Sequence, residues 1–69
     1  MKGIIQINGA TEALSAGTIA ELLAIKEIPA EGRGVAIAVN GTVVPRAAWV
    51  TTNLNNGDKI EIVHARQGG

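Results

Sequence analysis

The sequence contains no cysteine. That excludes a disulfide framework, thiol catalysis and any metal site built on thiolates, and it agrees with a reducing compartment. Aromatic residues are almost as scarce: Trp49 stands alone, without a tyrosine or a phenylalanine. One ring offers no stacking platform for bases, and six basic residues balanced by six acidic ones leave no excess positive charge, so nucleic acid is not an expected partner. Long apolar runs are missing too. The opening "MKGIIQING" meets a polar turn after a few aliphatic residues, which is too short for a signal peptide or a membrane span. These absences point to a cytoplasmic protein with no membrane partner.

What remains is aliphatic. Apolar residues make up 46% of the 69 positions, so the core must be built from Ile, Val, Leu and Ala. A chain this short forms one domain, and it hides only about 60% of the surface that it exposes when unfolded. Asn-Gly, which suits a type I′ turn because both central positions need φ > 0, occurs at Asn8-Gly9, Asn40-Gly41 and Asn56-Gly57. "GIIQI" before the first and "ATEAL" after it form one hairpin. "VAIAVNGTVVP" forms a second, with Val35, Ile37 and Val39 on one face and Ala36 and Ala38 on the other. Pro45 has no amide to donate and ends the second hairpin.

Between the hairpins, Thr18-Ile19-Ala20-Glu21 matches a capping box, and Ile19, Leu22 and Leu23 follow as one apolar stripe that stops before Pro29. This predicts a single short amphipathic helix. "AEGRG" (30–34) is a connector. "RAAWVTTNLNNGD" reads as irregular chain or a short helical turn anchored by Trp49 and Leu54, with Asp58 serving the turn before the last strand, "KIEIVHA". The element order is β-β-α-β-β-β with a short fourth strand. One helix on one sheet is a two-layer α+β domain. The first and last strands carry the strongest alternation and are expected side by side, parallel, at its centre.

Taken together, "GIIQING", "GTIAELL", "AVNGTVVPRAAW", "LNNGDKIEIV" and the closing "GG" resemble the ThiS family, the small sulfur carrier proteins of thiamine (thiazole) biosynthesis. The likeness runs over nearly the whole chain. It is most specific in "VNGTVVPRAAW" together with Gly68-Gly69. The resemblance implies an α+β, ubiquitin-like β-grasp fold: a mixed four- to five-stranded sheet with one main helix on one face, residues 1–65 as the domain and 66–69 as a flexible tail. It also implies a protein co-substrate rather than an enzyme. An E1-like adenylyltransferase of the ThiF type would join the Gly69 carboxylate to AMP, consuming ATP, while the chain itself binds no cofactor. Sulfur from a donor such as a cysteine desulfurase would convert that end to a thiocarboxylate, and a thiazole synthase of the ThiG type would receive it. Gly68, Gln67 and Arg66 would thread the partners' active sites, and glycine's missing Cβ suits such passages.

The residues add their own expectations. A chain with no thiol can carry sulfur only at its terminal carboxyl. His64 has no second histidine or carboxylate at ligand spacing, so no metal site is expected. Asn40-Gly41-Thr42 fits an N-glycosylation acceptor but reads as a hairpin turn. If Ile5, Ile7, Ile60 and Ile62 face the helix, Ile4, Ala36, Ala38 and Val63 are left on the opposite side as a docking patch, with Arg46 as a further partner contact. Three other functions stay open at this point: the small subunit of molybdopterin synthase, a ubiquitin-like modifier attacked by a lysine amine, and a non-covalent β-grasp binding module.

Overall fold

The computed structural model describes residues 3–28 and 34–64. Five strands and one α-helix run in the order β1 (Ile4–Ile7), β2 (Ala10–Ala13), α1 (Ile19–Ile25), β3 (Val35–Val39), β4 (Thr42–Val44) and β5 (Lys59–His64), with a 3-10 turn at Arg46–Ala48 between β4 and β5. The strands form one sheet in the order β2-β1-β5-β3-β4. β1 and β5 are parallel at its centre, and every other pairing is antiparallel. This is the mixed α+β, β-grasp arrangement that the motifs implied, with the fifth strand present as β4.

Period-2 alternation decides which face each strand buries. Ile5, Ile7, Ile37, Ile60 and Ile62 point to the helix and are buried, and the stripe Ile19, Leu22 and Leu23 meets them from α1. Leu54 and Trp49 are buried in the same core. The indole Nε1 of Trp49 donates to the Val44 carbonyl at 2.9 Å, so the polar edge of a buried ring is satisfied. Segment 49–52 also supplies acceptors for the start of the helix: Ile19 N–H donates to Thr52 C=O at 3.1 Å and Ala20 N–H to Trp49 C=O at 3.1 Å. Those donors have no partner within the helix. The irregular stretch is therefore held by the helix end it completes.

The cap at Thr18 forms as expected, its hydroxyl accepting from Glu21 N–H at 3.2 Å. The Glu21 carboxylate reaches back to Gly17 N–H at 2.7 Å, one residue beyond the partner that a capping box uses. The other end of α1 closes without the usual glycine. Ile28 N–H donates to Leu23 C=O and Glu27 N–H to Ala24 C=O, the bond pair of a Schellman motif, and Glu27 sits at φ 61°. An L-residue in that left-handed conformation costs about 1–2 kcal/mol. Packing of Ile28 onto the core holds it there.

Two of the three Asn-Gly pairs make type I′ turns: Asn8 and Asn40 lie at φ 51° and 53°, and Gly9 and Gly41 both at 86°. The third differs. Only Gly57 has positive φ, and Asp58 N–H closes onto Asn55 C=O at 3.1 Å, as in a type II turn. Rather than joining two strands, this turn clasps the start of β1: Ile4 N–H donates to Asn56 Oδ1 and Gly57 N–H to Ile4 C=O, both at 2.7 Å. Gly3 is required beside it, because a Cβ there would lie 2.7 Å from Asn56 Oδ1.

Candidate functional site

β5 is the strand from which the chain continues toward residues 65–69, and it is the central strand of the sheet, paired on both sides. The expected attachment point Gly69, the threading residues Gly68, Gln67 and Arg66, and the boundary between domain and tail lie outside the described residues. The site can therefore be built from the body up to His64.

The face of the sheet turned away from α1 carries the residues alternate to the core. Register brings Ala36 opposite Val63 and Ala38 opposite both Glu61 and Val43. Val63 is 57% exposed and Val43 69%, so two bare valines flank the two alanines across β4, β3 and β5. Ile4 is not part of this cluster. It shares the face and is 54% exposed, but its hydrogen bonds place it level with Gly57, about 20 Å down β5 from Val63. Arg46 is also elsewhere: it lines a cleft of about 220 Å³ with Ala20, Ala24, Ile28, Trp49 and Val50, beside the helix.

The structure thus unites Ala36, Ala38 and Val63, separates Ile4 and Arg46 from them, and adds Val43. Strand alternation alone could have found Val43, since Val44 turns toward the helix layer and its neighbour must turn away. Beside the apolar cluster runs a polar strip. Gln6 pairs with Lys59 in register, and Lys59 and Glu61 are exposed on the same face of β5.

The two type I′ turns grip β5 by side chain as well as by backbone. Asn8 Nδ2 donates to Ile62 C=O at 3.1 Å, and Ile62 N–H donates to Asn8 Oδ1 at 2.9 Å. Asn40 Oδ1 accepts from Lys59 N–H at 3.0 Å, and Asn40 Nδ2 donates to Asp58 Oδ1 at 2.9 Å. The other Asp58 oxygen accepts from Asn55 N–H at 2.8 Å, which fits its expected place in the turn before β5. No group of three or more metal-ligating side chains occurs among the described residues. No helix among them is long and apolar enough to cross a membrane.

This body has known counterparts. The family model of the ThiS family matches residues 4–69 without excluding any described element. The chain belongs to the ThiS family. Among solved structures, the crystal structure of the thiamine biosynthesis protein ThiS from Geobacter metallireducens superposes with a TM-score of 0.79 at 26% identity, covering 96% of this ThiS-family chain and 99% of that one. The NMR solution structure of a thiamine biosynthesis protein from the same organism gives 0.75 at 25% identity, over 96% and 87% of the two chains. No curated protein matches. ThiS membership and these neighbours support the coarser functional expectation, a small sulfur carrier of the ThiS type.

Proposed function

We propose that this ThiS-family chain carries sulfur for thiazole formation on its Gly69 carboxyl group, in the cytoplasm. The observation that supports this most is the reach of the family match, which includes both closing glycines. A carboxylate is a poor electrophile. A ThiF-type partner lets it attack the α-phosphorus of ATP, so that an acyl-adenylate forms and pyrophosphate leaves. Sulfur passed as a persulfide from a donor such as a cysteine desulfurase, and reduced to sulfide by a thiol that is itself oxidised to a disulfide, then adds to the acyl carbon. The C–S bond forms, the C–O bond to AMP breaks, and a thiocarboxylate remains for transfer to a ThiG-type thiazole synthase. ATP is the partner's substrate, and no cofactor is needed on the chain itself.

Within this reading the valine-alanine cluster of Val43, Ala36, Ala38 and Val63 docks the activating enzyme, because exposed apolar area that adjoins the outgoing strand can hold the body while the tail enters the active site. Gly68 and Gly69 keep the passage clear, and Arg66 and Gln67 span it.

Intact mass spectrometry tests the proposal. The chain is incubated with a ThiF-type enzyme, ATP and a sulfur source, beside a Gly69-deleted control. The expected result is a mass gain equal to sulfur replacing one oxygen, absent from the control. An activating enzyme active on its own cognate carrier that leaves this chain unchanged would refute sulfur carriage.

A further inference from the structure

β1 ends at Ile7, opposite Ile60, yet β5 runs on to His64. On its β3 side every one of those last residues is paired, up to Val35 opposite His64. On its β1 side the chain has turned back at Asn8-Gly9. The even-numbered residues of β5 face this side, as does Asp58 just before it: Asp58 C=O accepts from Gln6 N–H at 3.0 Å and Ile60 C=O from Asn8 N–H at 2.9 Å. The next in the series is Ile62, and no strand residue remains to meet it.

The Asn8 side chain takes that place. Its primary amide presents one acceptor and one donor in the same plane, as a peptide group would, and it bonds both the N–H and the C=O of Ile62 at 2.9 and 3.1 Å. The parallel ladder is thereby lengthened by one rung after its strand has ended, three residues before Ala65. Asn8 also sits at φ 51°, so one residue forms the turn and supplies the rung.

We propose that Asn8 is a positioning residue for the chemistry at Gly69: its amide fixes the end of β5 on the side that β3 does not hold, and so sets where the tail departs. This rests on the sulfur carrier reading. Without the rung, the last residues of β5 are held along one edge only, and the carboxylate samples a wider volume around the partner's ATP. The docking cluster keeps its register, because Val63 stays paired with Ala36 of β3. The loss therefore falls on kcat of adenylation and spares KM, and misplacement at a reacting centre can cost a factor of ten or more.

The test compares Asn8→Gly with Asn40→Gly. Glycine accepts φ > 0, so each variant keeps its turn and loses only the side-chain amide. Both lose hydrogen bonds to β5, but Asn40 grips Lys59 and Asp58, at the end of β5 far from the tail. Amide hydrogen exchange should quicken at Ile62 in Asn8→Gly and at Lys59 in Asn40→Gly. In ATP–pyrophosphate exchange with a ThiF-type enzyme, Asn8→Gly should lower kcat about tenfold with KM within about twofold, while Asn40→Gly leaves kcat unchanged. If Asn8→Gly does not fold, Asn8→Asp replaces it. That variant keeps the acceptor and the turn, and it sets an oxygen against Ile62 C=O, with the same expectation. Equal kcat in the wild type and the Asn8 variant, or an equal fall in both glycine variants, overturns the inference and leaves the carrier reading standing. A wild-type chain that the enzyme does not adenylate refutes the carrier reading and this inference with it.

Discussion

Replacing Asp58 with alanine should remove a large part of the stability of this domain. The residue is 9% exposed and its two oxygens accept from different elements, Asn55 N–H at 2.8 Å and Asn40 Nδ2 at 2.9 Å. A hydrogen bond to a charged group contributes about 1.5–3 kcal/mol. Asn55 and Asn40 are both exposed and can turn to water, so each share falls at the lower end. About 2–4 kcal/mol is the expected total. At 0.05–0.15 kcal/mol per residue, a chain of this length has roughly 3–10 kcal/mol to lose from. Since 1 kcal/mol moves Tm by about 4–8 °C in a domain this small, Asp58→Ala should melt about 10–25 °C lower. Urea unfolding followed by the fluorescence of Trp49, the single aromatic residue, and by far-UV circular dichroism measures it. Asp58→Asn keeps the shape and one acceptor, and should lose about half as much. A loss below about 1 kcal/mol for Asp58→Ala would refute the assignment of Asp58 as the tie between the β3–β4 turn and the entry to β5.

Glu27→Gly should raise stability by about 0.5–1 kcal/mol, because relief of the left-handed strain exceeds glycine's extra chain entropy; an unchanged or lower urea midpoint would contradict it. Val63→Asp places a charge in the exposed cluster opposite Ala36 and should raise KM for adenylation about tenfold or more with the fold intact, whereas Ile4→Asp, about 20 Å away along β5, should not. Equal effects of the two would dissolve the cluster as a docking site. Gly68→Ala should leave Tm within about 1 °C and lower kcat for adenylation, a split that a stability assay beside ATP–pyrophosphate exchange reads directly.

Two of the three Asn-Gly turns, the helix stripe and the core faces of β1, β3 and β5 were legible because each rests on local chemistry: Asn-Gly for φ > 0, Thr18 for the cap, alternation for Ile5, Ile7, Ile37, Ile60 and Ile62. The parallel pairing of β1 with β5 followed from their shared pattern. Period 2, however, tells which face a residue occupies and not how far along the sheet it lies. That is why Ile4 and Val63 read as neighbours, while the register sets them at different ends of β5. Nor does Asn-Gly in a sequence say what the asparagine amide reaches. Asn8 and Asn40 reveal their grip on β5 only once residues more than fifty and eighteen positions away, respectively, are in place. Glu27 carries no mark of its left-handed conformation, since a glycine or asparagine would be the usual signal.

The sheet order has one more consequence. The two hairpins, β1–β2 and β3–β4, touch each other nowhere in the ladder; both are joined to the sheet only through β5, the last element written. Closing β1 onto β5 spans a loop of some fifty residues, which costs about 3–4 kcal/mol of chain entropy before any rung repays it. A nascent chain that has made everything up to Asp58 therefore has two ribbons, a helix and no sheet. The keystone is the last strand of the sheet, so the two ribbons can be joined only once β5 has been made.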